Sequence, residues 1–184
     1  EIARNTAAAV KPGDPFGEGT TIGPVVSEVQ WDKIQGLIQK GIDEGAELVC
    51  GGTGRPDGLN AGYYVKPTIF GNVTNDMTIA REEIFGPVLG VLPIRGIEEA
   101  LAVAKDTDYG LHATVYTKDI DRAIYLSRRL PCGTVSVNGF SEGDIKTPFG
   151  GFKRSGSLAR DNGVEALDQY LQTKTIWVTV GEVR

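Results

Sequence analysis

Two adjacent carboxylates precede a large aromatic ring and a Gly-Pro pair in Arg81-Glu82-Glu83-Ile84-Phe85-Gly86-Pro87, and this stretch has the strongest capacity for chemistry in the chain. Gly86 admits backbone angles closed to other residues and Pro87 cannot continue a helix, so Phe85 stands at a sharp exit from a short helical turn. Such an exit holds an acid and a ring together at a cleft. The alternative local reading is a solvated Glu pair beside a core Phe. A second concentration lies in the irregular stretch 139–160, which carries Glu142, Asp144, Phe149, Lys153, Arg154 and Arg160. Long loops inside compact domains are usually functional or disordered, and a plain surface excursion is the alternative here. Cys50 and Cys132 have no metal-ligand spacing, and the single His112 cannot complete a zinc set with them. Each cysteine sits at a strand end and reads as an inert structural thiol, because a reactive one needs an electropositive, accessible setting.

The elements that must position these residues follow from periodicity and punctuation. Residues 1–10 form a helix ended by Pro12-Gly13-Asp14-Pro15. Ser27-Glu28-Val29-Gln30 has the form of a capping box, with Gln30 reaching back to the cap. Trp31, Ile34, Ile38 and Ile42 then recur at helical spacing, and Gly45 closes that helix. Strands are predicted at 47–50 and 63–70, separated by a loop rich in Gly, Pro and Asn. That loop lacks the Gly-x-Gly-x-x-Gly spacing, the Lys-Ser/Thr ending and the following helix of a phosphate cradle. Residues 88–94 are nearly all apolar, as in a strand buried on both faces of a parallel sheet. Helix 98–105, strand 112–117, helix 120–130 and strand 134–137 continue a βαβαβ alternation. The fold class is therefore α/β, doubly wound, with a mostly parallel sheet and helices on both faces. In such sheets ligands sit at the carboxyl ends of the strands, which is where Asn138 and the loop after it fall. A last helix, 161–170, precedes an uncovered β-branched strand, Thr173 to Val180, suited to pair with another subunit or with the missing half of the protein.

Forty per cent apolar and 23% charged residues in a chain of 184 suffice for one buried core. No run approaches the roughly 18 apolar residues of a membrane span. Nineteen basic residues against 24 acidic ones give a net charge of −5, which disfavours nucleic acid or an anionic membrane as a partner.

Glu82-Glu83-Ile84-Phe85-Gly86-Pro87 resembles the signature of the NAD(P)-dependent aldehyde dehydrogenase superfamily. Further stretches resemble it in the family's order: Gly23-Pro24-Val25, Glu44-Gly45-Ala46-Glu47-Leu48, Gly62 through Phe70, Tyr109-Gly110-Leu111, Gly133 through Asn138, and Pro148 through Gly156. The resemblance spans essentially the whole chain. It implies that Glu83 hydrogen-bonds the ribose beside the nicotinamide of NAD or NADP, that Phe85 packs near the nicotinamide ring, and that Phe149 lines the aldehyde channel. Glu142 and Asp144, just before Phe149, would then favour an aldehyde with an ammonium group at its far end. Two departures stand out: Lys105 replaces a usual Asn, which puts a loop hydrogen bond in question, and Ser157-Leu158-Ala159-Arg160-Asp161 replaces a more glycine-rich segment.

The family's Gly-Gln-x-Cys nucleophile, glutamate base and cofactor domain have no counterpart here, so no catalytic residue is assigned within the chain. The expectation is a C-terminal piece of such an enzyme. Residues 1–172 belong to the catalytic domain and 173–184 to an oligomerisation strand. Gly143-Asp144 and the ending Leu171 through Trp177 look most like gamma-glutamyl-gamma-aminobutyraldehyde dehydrogenases. The resemblance implies a cytoplasmic homo-oligomer that binds an aldehyde and no nucleic acid, membrane or metal. The alternative is a non-catalytic association module.

Overall fold

The computed structural model describes residues 1–140, 143–156 and 159–181. The chain divides into two compact units, Glu1–Arg95 and Gly96–Arg184.

The first unit is organised around α2. After α1 (Ile2–Ala9), the Ser27 hydroxyl accepts the Gln30 backbone N–H at 3.3 Å and starts α2 (Glu28–Asp43). Gly45, at φ 87, turns the chain out of the helix, and its N–H donates to the Ile42 carbonyl. The apolar spacing read from sequence does its work here: Ile34 and Ile38 are fully buried, and they join Ala46, Val65, Phe70, Val73 and Ile79 in one core. Burial of each large side chain contributes about 1.5–3 kcal/mol, so this cluster holds the unit. Its sheet has the order β1 (Glu47–Cys50), β2 (Thr68–Gly71), β3 (Val88–Gly90). A loop joins β1 to β2 and they are antiparallel; the short helix α3 (Thr78–Arg81) lies between β2 and β3, and they are parallel.

The second unit contains α4 (Ile97–Lys105), β4 (Tyr109–Gly110), β5 (His112–Val115), α5 (Ile120–Arg129), β6 (Thr134–Val137), β7 (Phe152–Lys153) and a 3-10 helix, Val164–Tyr170. The Asp119 carboxylate accepts the N–H groups of Asp121 and Arg122 and caps α5. β5 and β6 are parallel across this helix, and β4 pairs antiparallel with β7. Leu101, Val115 and Ala123 are its buried apolar residues, a smaller core than the first unit has.

The mixed α/β class stands, with five corrections of detail. Among the described residues the strands form three small sheets rather than one continuous doubly wound sheet. The strand expected over 63–70 pairs only from Thr68, because Pro67 has no N–H to give a ladder. The strand expected over 88–94 is three residues long, and Leu89 is 53% exposed, so one face lacks cover within this chain. The helix expected over 161–170 narrows to the 3-10 turn: Gly163 has φ 65, and Val164, Leu167 and Tyr170 lie exposed without the packing that stabilises an α-helix. Residues 173–180 carry no regular structure and no ladder partner in the single chain.

Candidate functional site

The Glu83–Phe85 turn is gripped from two sides. At its start the Glu44 carboxylate accepts the Thr78 backbone N–H at 2.7 Å and the Thr78 hydroxyl at 2.6 Å, which fixes the first turn of α3. These bonds, hydroxyl first, hold the Glu44 carboxyl below the usual carboxylate range, with a smaller contribution from Lys40. At its end, the Gln30 amide donates to the carbonyls of Ile84 and Phe85, each at 3.1 Å, and Lys33 Nζ donates to the Glu83 carbonyl at 2.8 Å. Gln30 therefore does not close the capping box by reaching back to Ser27; it spends its amide on the turn. Three consecutive carbonyls are pinned by one flank of α2, while Ile34 and Ile38 on the same helix anchor it in the core.

This grip maintains an unusual backbone. Phe85 has φ 58, a region that costs a bulky residue about 1–3 kcal/mol and persists where the surroundings enforce it. Its ring is 74% exposed. Glycine suits position 86, because a Cβ there would lie 2.6 Å from Cδ1 of Ile34, which would have to shift. Glu83 is exposed, and its carboxylate has no hydrogen-bond partner among the described residues. An acid and an aromatic face are thus presented outward on a fixed backbone. Lys33 escaped the sequence reading and Gln30 was read only as a capping residue; the signal for the tether was a polar pair three residues apart on a flank of an amphipathic helix.

The loop after β6 is held differently, mostly by its own backbone. Asn138, at φ 55, accepts the Thr117 N–H and donates to the Thr117 carbonyl, both at 2.8 Å, which closes the carboxyl ends of β5 and β6. Phe149 and Asp161 exchange N–H to carbonyl bonds of 2.5 and 2.7 Å. Lys153 Nζ donates to the carbonyls of Lys105 and Thr107 at 2.8 and 2.6 Å, and Arg154 pairs with Asp108 at 3.4 Å. Only the backbone of Lys105 takes part, so the change from the usual Asn leaves this link intact. Gly133 packs so tightly that a Cβ would fall 1.5 Å from the Gly150 carbonyl oxygen.

Glu83 and Phe85 belong to the first unit; Phe149 and Asp144 belong to the second. Phe149 is 37% exposed. Asp144 is exposed, and its Oδ1 accepts the Lys146 N–H at 2.8 Å, so part of its role is to shape a local turn. Glu142 lies outside the described residues. Both cysteines are free and half-buried. Burial raises the Cys132 thiol above its ordinary value, an effect partly offset by Lys153. Among the described residues no group of three His, Cys, Asp or Glu side chains could hold a metal ion, and no helix is long and apolar enough to cross a membrane.

Comparison with known proteins gives this geometry its context. The model of the aldehyde dehydrogenase family matches residues 1–176. The betaine aldehyde dehydrogenase of Brucella anthropi is 47% identical over 176 residues, which cover 95% of this chain and 36% of the relative. The structure of a Mycobacterium tuberculosis aldehyde dehydrogenase complexed with NAD+ superimposes with a TM-score of 0.89 at 43% identity, over 98% of this chain and 37% of that one. A mutant aldehyde dehydrogenase C from Pseudomonas syringae, in complex with NAD+ and octanal, gives 0.88 at 45% identity over 92% and 35%. The chain spans about a third of the length of the relatives it matches. With 176 of its residues matched by the family and near-half identity to such relatives, the chain belongs to the aldehyde dehydrogenase family.

Proposed function

We propose that the intact protein oxidises an aldehyde to the carboxylic acid with NAD+ or NADP+, through a thioester on a cysteine outside these residues. This chain contributes the part that orients the nicotinamide end of the cofactor and part of the aldehyde entrance. The observation that carries the reading is the pinned turn: a Glu83 carboxylate without a partner among the described residues and an exposed Phe85 ring on a backbone fixed by Gln30, Lys33 and Glu44. A free carboxylate fits a ribose diol, which offers two hydroxyl donors, and an exposed ring fits the flat nicotinamide. The cofactor would supply the hydride acceptor, and Glu83 and Phe85 would hold its nicotinamide end. The NAD+ complexes of the related structures favour NAD+.

Glu83→Gln in the intact enzyme tests this directly. The amide keeps the shape of the side chain and loses its charge, so the ribose is held less firmly. A misplacement of about 1 Å can cost roughly 100-fold in hydride transfer. Single-turnover NADH formation should fall accordingly with the fold unchanged; an unaltered rate would reduce Glu83 to a solvated charge.

The substrate proposed is an aldehyde with an ammonium group at its far end, of the aminobutyraldehyde kind. Asp144 is exposed in the entrance loop, and the Brucella anthropi relative is named for betaine aldehyde, which carries a quaternary ammonium. For subunit association the supporting observation is the uncovered run Ile176, Trp177, Val178 and Val180, between 72% and 91% exposed. An apolar edge of this kind is a template for strand addition from another copy. Deletion from Thr175 onward should shift the protein toward monomer in sedimentation analysis, and an unchanged distribution would place the contact elsewhere.

A further inference from the structure

We propose that His112 positions Phe140 as a wall of the aldehyde entrance, and that this stacked pair sets which aldehydes are admitted. The proposal rests on the reading of residues 139–160 as part of that entrance.

The register of the parallel pair sets His112 opposite Thr134 and Thr114 opposite Ser136. Side chains alternate along a strand, so these four share one face, while Ala113, Val115, Val135 and Val137 share the other. The apolar face packs on α5, where Ala123 is 3% and Val115 8% exposed. The polar face is covered in part by the chain itself. Beyond β6 the left-handed backbone of Asn138, locked to Thr117, redirects the chain, and Phe140 lays its ring flat on the imidazole of His112. The centroids are 4.9 Å apart and the planes 11° from parallel. His112 Nε2 shares a 3.0 Å hydrogen bond with the Ser136 hydroxyl, which prevents the imidazole from rotating under its partner.

Phe140 nevertheless remains 68% exposed. One of its faces rests on His112, and most of the ring is left to meet something else. A ring bound for a core would not be left so open, and this one sits just past the carboxyl end of a parallel strand, where α/β sheets place their ligands. The loop continues from it through Asp144 to Phe149. Histidine suits the position because it offers a flat face for stacking and a nitrogen for Ser136; phenylalanine would keep the first and lose the second. His112 is thus a positioning residue, and Phe140 the specificity-determining residue it holds.

The test uses the intact enzyme with propanal and a longer cationic aminoaldehyde as substrates. Losing the stack should raise the aldehyde KM by about three- to ten-fold, the range expected for one aromatic pair. That rise should appear in both His112→Ala and Phe140→Ala, be larger for the longer aldehyde, and leave the KM for NAD+ and kcat unchanged. The double variant should be no worse than either single one, since both remove the same contact. His112→Phe, which keeps a ring, should recover most of the loss, and Ser136→Ala should fall between; both also serve if the alanine variant folds poorly. Fully additive effects, equal changes in the NAD+ KM, or aldehyde KM values at the unsubstituted level would overturn the proposal. Phe149→Ala separates the two levels of inference: if it too leaves the aldehyde KM unchanged, the entrance reading itself fails, whereas if it raises KM while the His112 and Phe140 variants do not, only the stacked pair is wrong.

Discussion

The turn that carries Glu83 and Phe85 and the loop that carries Asp144 and Phe149 present the same kinds of side chain, an acid and an aromatic ring, yet they are held by opposite means. In the first unit, side chains do the holding: Glu44, Gln30 and Lys33 reach across to backbone groups of the turn from a helix rooted in a well-buried core. In the second, more of the holding is backbone to backbone, through the Phe149–Asp161 exchange, the β4–β7 pairing and glycine contacts too close for any side chain, with the Asn138 amide and Lys153 Nζ adding side-chain links to Thr117, Lys105 and Thr107. A side-chain grip can be loosened one bond at a time and can titrate. A backbone grip tolerates most changes of side chain and fails abruptly where a glycine is replaced.

The sharpest way to break that contrast is one methyl group in each region. Gly133→Ala sets a Cβ 1.5 Å from the Gly150 carbonyl oxygen, a backbone atom that cannot step aside without carrying the loop with it. Overpacking of this kind costs about 3 kcal/mol or more, and the variant should melt markedly lower. Gly86→Ala meets the side chain of Ile34, Cδ1 at 2.6 Å and Cγ1 at 3.1 Å, and no backbone atom at those distances. Its cost should be about 1–2 kcal/mol. Thermal melts of the two variants, with the same ranking absent or reversed, would show that the loop is softer than its contacts imply.

The next largest effect is expected from Gln30→Leu, which keeps the helix and the bulk of the side chain while stripping two carbonyls of their donor. Loss of the pair should cost about 1–2 kcal/mol locally. Amide exchange over residues 82–88 should quicken, while exchange in the β4–β7 pair stays as it was. Equal acceleration in both regions would mean that the grip on the turn is a global stability effect.

How much of this arrangement could be read from the sequence divides along the same line. The anchoring half of α2 was legible, because Ile34 and Ile38 recur at a helical period and Ser27 announces the start. The exit at Phe85 was legible too, since a Gly-Pro pair leaves few backbone options. The use of Gln30 was not: a capping box and a long-range tether require the same residue type at the same position, and only the tertiary fold decides between them. In the second unit, α5 and its flanking strands were visible by alternation, whereas β7 is two residues long and carries no periodicity at all. The terminal helix was overestimated because Val164, Leu167 and Tyr170 suit an apolar stripe equally well whether or not anything packs against them.

The smallest effect expected is also the one that tests whether the first region's grip titrates. Glu44 holds α3 through the Thr78 hydroxyl and N–H, and its carboxyl lies below the ordinary value of 4.5 for that reason. A carboxylate with a depressed folded value contributes stability that is fully present above the ordinary value and disappears as pH falls through the folded one. At neutral pH, Glu44→Gln should therefore speed exchange of the Thr78 and Glu82 amides, the second of which donates to the Thr78 carbonyl at the end of this turn. As the pH is taken well below 4.5, protonation of Glu44 removes the same negative charge from the unsubstituted protein, and the two should converge once the intrinsic pH dependence of exchange is allowed for. The Phe149 and Asp161 amides, whose acceptors are carbonyls, should show no such convergence. A gap between the two proteins that stays constant through the acid range would mean that Thr78 is held by the shape of the side chain rather than by its charge, and the contrast between a titrating grip and a fixed one would then fall.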